Sequence, residues 1–279
     1  MHKLDASTRV FFIVADPIKQ VKAPALFNQV FAHFGVNAVM APLQVRAEVL
    51  LDTLRSLLSS PSVGGIALSI PHKTSAIALC TTMTPLAAQA QAANALRRGD
   101  DGAIEGALFD GLGLAGALRQ AEFAYADKRV LIIGAGGAAS AIVASLHAQT
   151  RYLAVYDPDT PRSRALVRRF AGSGGGELAV AASNDPQGYE LVINASPLGM
   201  QADDELPADP ARMASDCKVF DIVMQAPPTP WVSLARQYGL AACNGSAMLS
   251  QQMPHYLRFF GYPQLADAIE RDDTPLSTI

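Results

Sequence analysis

The sequence predicts an α/β fold divided into two domains. Short apolar runs alternate with segments of helical spacing along the whole chain, a pattern typical of largely parallel sheets with crossover helices. The alternation restarts at Arg129 after a polar, turn-forming segment, and 279 residues suffice for two hydrophobic cores. A glycine-rich segment also lies between a predicted strand and a predicted helix in the second half, as expected of a nucleotide-binding domain.

The elements of the first half follow from apolar runs and helix-end signals. Apolar runs predict three strands, at Val10–Ala15, Asn37–Pro42 and Ile66–Ile70. Helical spacing predicts helices at Pro24–Phe34 and Glu48–Leu58, with alanine-rich helical segments up to about Ala92. We expect the domain change between Asp110 and Lys128.

The composition excludes several classes of protein. Half of the residues are hydrophobic and the formal charge is −3, so a nucleic-acid partner has no electrostatic support. The three scattered cysteines contain no C-x-x-C, which argues against a zinc site or a disulfide framework. No run approaches the roughly 20 apolar residues that span a bilayer. We expect a cytoplasmic protein without metal or membrane partner, whose apolar content fits either a homodimer interface or a large core.

The segment "VLIIGAGGAASAIVASL" is the strongest signal in the sequence. Val130–Ile133 predicts a strand, a helical run follows, and the G-x-G-x-x-A pattern lies between them. Such a loop lets the backbone approach a pyrophosphate and presents a helix N-terminus to it. We therefore predict a Rossmann-type, doubly wound domain that binds a dinucleotide through Gly134, Gly136, Gly137, Ala138 and Ala139.

The strand that follows ends at an acidic residue. Asp157 lies 23 residues after Gly134, where a carboxylate accepts hydrogen bonds from the adenosine ribose and repels a 2′-phosphate. No arginine follows at once in "YDPDTPR", so the sequence favours NAD over NADP. The alternative is that Asp157 or Asp159 caps the helix that opens at Pro161.

The segment "ELVINASPLGM" repeats the strand-to-loop pattern within the same domain. Residues just beyond the carboxyl ends of parallel strands line the ligand crevice of such sheets. Four further cofactor-binding residues are therefore predicted, at Asn194, Ser196, Pro197 and Met200. A purely structural, buried turn asparagine is the alternative for Asn194.

The stretch "GGIALSIPHKTSAIA" places a lysine directly after a buried strand. Pro71 must end that strand because it lacks an N–H group. Lys73 follows at the mouth of the strand. It is either a proton donor above a pocket or a solvated residue that opens the next helix.

Eight motifs in order resemble the shikimate dehydrogenase family over nearly the full chain. They are "DPIKQVKAP", "ALSIPHK", "AANAL", "FDGLG", "GAGGAAS", "NASPLGM", "FDIV" and "GSAMLSQQ". The resemblance implies a substrate domain and a nicotinamide-cofactor domain that face each other across a cleft. It implies that the first domain takes back the C-terminal helices, so that residues 1–110 with 245–279 form the substrate domain and residues 111–244 the cofactor domain. It also implies that Lys73 and Asp110 form the catalytic pair, and that Asn94 and Gln252 bind substrate.

The implied pair suits the reduction of a ring ketone. Hydride addition produces an alkoxide, which a lysine ammonium stabilises and protonates. Asp110 would orient Lys73 and favour its charged form.

Several substrate-contacting positions depart from the family pattern. Val21 and Ala23 stand where the family has a carboxylate-binding serine pair, and Ala67 replaces an asparagine, although Ser69 keeps a hydroxyl. Phe109 and Met224 replace a threonine and a tyrosine. Because polar groups are lost while the catalytic pair survives, we expect poor turnover of shikimate and a less polar or differently decorated ring substrate.

Three cationic or titratable residues are candidates to bind a substrate carboxylate in place of the serines. They are Lys19, Lys22 and His72. For His72 the alternative is a packing role.

Three functions compete at this point. A nicotinamide-dependent dehydrogenase of a cyclic alcohol or ketone explains the catalytic pair and the glycine loop. A cofactor-binding regulatory module without turnover explains the altered substrate residues. A structural scaffold leaves both the pair and the loop unexplained.

Overall fold

The computed structural model describes residues 4–201 and 203–272. The chain forms two compact units, each built from a six-stranded sheet and flanking helices, which confirms the predicted α/β fold of two domains. The first unit comprises the residues up to Phe109 together with those from Gln252 onward. The second unit is Asp110–Gln251.

The described residues form twelve strands and nine α-helices. The strands are β1 Arg9–Ala15, β2 Ala38–Gln44, β3 Val63–Leu68, β4 Thr82–Met83, β5 Ala95–Arg98, β6 Ile104–Ala107, β7 Arg129–Ile133, β8 Tyr152–Tyr156, β9 Glu177–Val180, β10 Leu191–Asn194, β11 Lys218–Asp221 and β12 Ala241–Asn244. The helices are α1 Ala23–His33, α2 Leu50–Ser59, α3 Pro85–Ala90, α4 Asp110–Gln120, α5 Gly137–Leu146, α6 Thr160–Arg169, α7 Pro230–Gln237, α8 Ser246–Phe259 and α9 Pro263–Asp272. Among these helices none combines the length and the apolar character needed to cross a membrane.

The sheet of the second unit is parallel throughout and doubly wound. Its strand order is β12-β11-β10-β7-β8-β9, so the chain builds outward from β7 in one direction and from β10 in the other. The strands β7 and β10 lie side by side at the switch point. Ligands of open α/β sheets bind outside the carboxyl strand ends at such a point.

The sheet of the first unit is mixed rather than largely parallel. Its order is β2-β1-β3-β5-β6-β4, and β5 pairs antiparallel with both β3 and β6. Between β5 and β6 the cause is the "GDDG" turn, where Gly99 N donates to Ala103 O over 2.8 Å and Gly102 has φ +83°. A tight turn reverses the chain, so the strands that it joins must run antiparallel.

Glycines in β3 allow aromatic rings to pack on the bare backbone of the first unit. A Cβ at Gly64 would collide with the ring of Phe11, and one at Gly65 would collide with the ring of Phe260, the residue directly after α8. The two rings themselves lie 5.0 Å apart between centroids. This packing joins the end of α8 to the sheet, and α8 carries one of the predicted substrate-binding residues.

Candidate active site

The loop after β7 has the geometry that a dinucleotide-binding turn requires. Gly134 has φ +108°, and a Cβ there would lie 2.8 Å from the carbonyl oxygen of Ala195 in the loop after β10. A larger residue would therefore push the two loops apart. Glycine is required at this position both by its backbone conformation and by the close approach.

The next residues open the loop and start a helix. Gly136 precedes α5, which has no side-chain cap, and Gly137 and Ala138 form its half-buried first turn. A Cβ at Gly136 would have Arg162 Nη2, at 3.7 Å, as its sole neighbour within 4 Å among the described residues. Ala139 is fully buried, so α5 packs closely on the sheet. The five predicted loop residues thus form one uncapped helix start beside the switch point.

The side chain of Asp157 holds this loop in place. It is buried, and its Oδ2 accepts a hydrogen bond from Ala135 N over 2.8 Å. Its Oδ1 accepts from Asp159 N over 3.0 Å. Neither Asp157 nor Asp159 caps α6 through its side chain. The carboxylate is therefore engaged by backbone amides at the end of β8.

Arg162 is a residue that the sequence reasoning missed. It lies in the first turn of α6, its side chain is 54% exposed, and its Nη1 is 3.9 Å from Asp157 Oδ2. Together with its approach to Gly136, this places a guanidinium beside the glycine loop. The signal was present in "YDPDTPR", since the arginine directly follows Pro161 and the first turn of a helix that opens at the strand end stays close to that end.

The loop after β10 is a compact turn organised by Asn194. Its buried Nδ2 donates to Leu198 O and to Asp221 Oδ1, each over 2.9 Å. Its Oδ1 accepts from the amide and from the hydroxyl of Ser196. Asn194 is thus buried and bonded both within the turn and to Asp221 on β11. The half-buried Ser196 and Met200 and the exposed Pro197 follow on the same loop.

In the first unit, the loop after β3 carries Ser69 and Lys73. Ser69 is half-buried, and its amide donates to Val14 O over 2.9 Å. The half-buried Lys73 accepts a hydrogen bond at its carbonyl from Ala93 N over 2.8 Å. Because residue 94 is next in the chain, this bond holds the backbone of Lys73 beside Asn94.

Asn94 is the centre of the polar site in this unit. Its side chain is fully buried, with Nδ2 3.5 Å from Gln252 Oε1 and Oδ1 accepting from Phe109 N over 3.0 Å. Its backbone carbonyl accepts from the hydroxyl of Tyr256. The structure therefore brings Asn94 and Gln252 together next to Phe109. Asp110 is the following residue, buried at the start of α4 and assigned to the second unit.

His72 has a packing role. It is 1% exposed, and its ring Nε2 lies 2.8 Å from the carbonyl oxygen of Val45. Lys19 and Lys22 are both exposed at the surface of the same unit. His72 is therefore engaged inside the first unit rather than presented to a substrate carboxylate.

The apolar residues that replace polar residues of the family pattern lie mainly in the first unit. Ala23 and Ala67 are buried, and Val21 and Met224 are half-buried, the latter in the second unit. Phe109 packs its ring edge-on against Tyr256 with centroids 5.0 Å apart. The polar side chain of Asn94 therefore bonds the backbone of a residue whose own side chain is an apolar ring.

Comparisons with known proteins agree along the whole chain. Residues 13–96 match the model of the shikimate dehydrogenase substrate binding domain. The chain is 30% identical over 277 residues to the shikimate dehydrogenase (NADP(+)) of Rhodospirillum rubrum, covering 95% of this chain and 97% of the relative. It is 32% identical over 283 residues to that of Methylobacterium radiotolerans, covering 96% and 99%. The structure of shikimate 5-dehydrogenase from Thermus thermophilus in complex with NADP(H) and shikimate superposes with a TM-score of 0.82 at 21% identity, covering 95% and 99%.

These relatives contradict the prediction that NAD is the preferred cofactor. Both curated relatives are named as NADP(+) enzymes. The prediction was wrong because it assigned the carboxylate of Asp157 to a ribose and found no arginine close behind it. In the structure that carboxylate accepts from two backbone amides, and Arg162 supplies a cation at the loop.

Proposed function

Because the chain belongs to the shikimate dehydrogenase family, we propose that it transfers a hydride between NADP and a cyclic hydroxy or keto substrate. Family membership confirms the resemblance inferred from the eight motifs and makes the chain an oxidoreductase acting on CH–OH groups. A regulatory module without turnover is not favoured, because the relatives are named as dehydrogenases.

The residues around the glycine loop fit a dinucleotide. The space above Gly136 is open, the N-terminus of α5 has no side-chain cap, and Arg162 lies at the loop. We assign the pyrophosphate to the amides of this helix start and the 2′-phosphate of NADP to Arg162. When bound, the nicotinamide supplies or accepts the hydride. Asp157 and Asn194 support this site by holding the loops that form it.

Lys73 is the proposed proton donor and acceptor. During ketone reduction its Nζ would donate a proton to the developing alkoxide, and during alcohol oxidation it would take the proton back. Asp110 would keep Lys73 charged and oriented. The observation that carries this assignment is the pair of hydrogen bonds that tie Lys73 to Ala93 and Asn94 to Phe109, the residue before Asp110.

The substrate is proposed to bind through neutral polar groups. Asn94, Gln252 and Ser69 offer amides and a hydroxyl to the hydroxyl groups of a ring. Val21 and Ala23 offer no hydrogen bond to a carboxylate. Loss of each hydrogen bond to a charged group costs about 1.5–3 kcal/mol, so we expect slow turnover of shikimate.

The test is nicotinamide absorbance during reaction with shikimate, quinate and cyclic polyols that lack a carboxylate. Each substrate is offered with NADP and with NAD, to the wild type, to Lys73→Ala and to the matched variant Lys218→Ala, which removes a lysine of β11 in the second unit. We expect turnover with NADP that falls about 10²–10⁴-fold in Lys73→Ala and is unchanged in Lys218→Ala. Equal turnover of the wild type and Lys73→Ala would remove Lys73 from the chemistry. Rapid turnover of shikimate would refute the interpretation of Val21 and Ala23.

A further inference from the structure

A buried carboxylate at the end of β11 collects hydrogen bonds from three parts of the second unit. Asp221 is fully buried. Its Oδ1 accepts from Asn194 Nδ2 over 2.9 Å and from Val223 N over 3.0 Å. Its Oδ2 accepts from the hydroxyl of Thr229 over 2.7 Å. Both oxygens therefore bind donors from separate segments of the chain.

These donors connect two loops at the carboxyl edge of the sheet. Asn194 organises the loop after β10 through Ser196 and Leu198. Thr229 ends the loop after β11, and its hydroxyl caps α7 by accepting from Val232 N over 3.3 Å. Without the carboxylate between them, these two loops would lose the side-chain bonds that link them.

The first of these loops also forms a wall of the glycine loop. Ala195 N donates to Ile133 O over 2.7 Å, and the carbonyl of Ala195 approaches Gly134 so closely that no Cβ fits between them. A shift of residues 195–199 therefore moves the groups that border the dinucleotide-binding turn. The network at Asp221 lies one residue away from this contact, through Asn194.

Burying a carboxylate costs free energy, so its presence between two loops indicates that these loops must keep one arrangement. Burial raises the pKa of Asp221, while its bonds to Thr229, Val223 and Asn194 act in the opposite direction. Moving a carboxylate out of water is strongly unfavourable, and three donors offset that cost while requiring one arrangement of the loops.

We propose that Asp221 is a positioning residue of the cofactor site, acting through Asn194 and Thr229 to fix the loop that borders the glycine turn. This inference rests on the proposed binding of NADP. Asp221 touches neither substrate nor the reacting atoms in this role. Its role is to hold the loop of the cofactor site in the binding position before the cofactor binds.

The test uses the hydroxyl of Thr229, which can be removed without changing the size of the side chain. Thr229→Val deletes the donor to Asp221 together with the cap of α7, and Thr229→Ser keeps both. Thr150→Val is the matched control: Thr150 is also buried in the second unit, where its hydroxyl donates to His147 O over 3.1 Å at the opposite edge of the sheet. The dissociation constant for NADPH is measured by fluorescence titration, and thermal unfolding is followed in parallel.

We expect Thr229→Val to weaken NADPH binding about tenfold, Thr229→Ser to bind as the wild type does, and Thr150→Val to lose stability without a change in affinity. Unchanged affinity in Thr229→Val, or an equal loss in Thr150→Val, would overturn the proposal. If Thr229→Val and Thr229→Ala both fail to fold, the network serves folding and the proposal is likewise overturned. Failure of the wild type to bind NADPH would instead refute the proposed function itself.

Discussion

The two edges of the sheet in the second unit use polar residues in different ways. At the carboxyl edge, Asp157, Asn194 and Asp221 are buried. Asp157 accepts a hydrogen bond from Ala135 in the loop after β7, and Asp221 accepts one from Asn194. At the amino edge, Lys128 and Glu190 form an ion pair of 2.8 Å between partly exposed side chains. The same kinds of side chain thus fix loops at one edge and lie near solvent at the other.

The difference shows where the fold accepts an energetic cost. Exposed ion pairs contribute little to stability, whereas buried charges are expensive unless every oxygen has a donor. Buried acids at the carboxyl edge therefore indicate that the loops there must hold one shape. This is the edge where open α/β sheets bind their ligands.

The largest expected effect compares two glycines with positive φ, one at each edge. Gly134→Ala places a Cβ against Ala195, whereas Gly172→Ala, at φ +80°, meets nothing within 4 Å among the described residues. Both variants should lose stability, because a side chain at positive φ costs about 1–2 kcal/mol. Gly134→Ala alone should also weaken NADPH binding, by about 10- to 100-fold in a fluorescence titration. Similar losses of NADPH affinity in both variants would show that the two edges do not differ in their effect on the cofactor site.

The next effect concerns two arginines of α6. Arg162 lies in the first turn beside the glycine loop, and Arg168 is exposed in the last turn. Arg162→Gln should lower the preference for NADPH over NADH about 10- to 100-fold, because a charged hydrogen bond to the 2′-phosphate is lost. Separate dissociation constants for the two cofactors measure this preference. Arg168→Gln should leave it unchanged, and a shift of equal size there would indicate a general effect of charge.

Particular residues show how far sequence reasoning reaches in this chain. Gly134 was predictable because a turn between a strand and a helix permits few backbone conformations. The preference for NAD that was inferred from Asp157 was wrong, because a sequence gives the position of a carboxylate but not its hydrogen-bond partners. Arg162 was missed because it is not adjacent to Asp157 in sequence and comes near the loop only through the first turn of α6. His72 stood next to Lys73 in sequence, yet its ring is directed to Val45 by packing that no local pattern reveals.

The direction of the strands was also hard to predict, because it depends on short turns rather than on periodicity. Alternating strands and helices were sufficient for the parallel sheet of the second unit. In the first unit, the turn at Gly99–Gly102 made β5 and β6 antiparallel, and this reversal depends on four residues. Short turns therefore decide topology where periodicity alone predicts a different sheet.

The smallest expected effect lies at the amino edge and concerns stability alone. Hydrogen bonds from Lys128 and from the Arg129 amide lower the pKa of the Glu190 carboxyl below its ordinary value of 4.5. A lowered folded pKa means that the ionised form stabilises the fold above the ordinary pKa. This contribution is lost as pH falls through the folded pKa. Glu190→Gln should therefore be slightly less stable than the wild type at pH 7, and the gap should close in acid and shrink in high salt.

Urea unfolding at several pH values measures this gap, with Glu177→Gln, an exposed residue of the same edge, as the control. The control should show no comparable dependence of stability on pH, because the Glu190 carboxylate has the lysine and amide donors whose loss is being measured. NADPH affinity should not change in either variant. A loss of affinity on removing Glu190 would mean that the amino edge also shapes the cofactor site, and the contrast between the two edges would then fail.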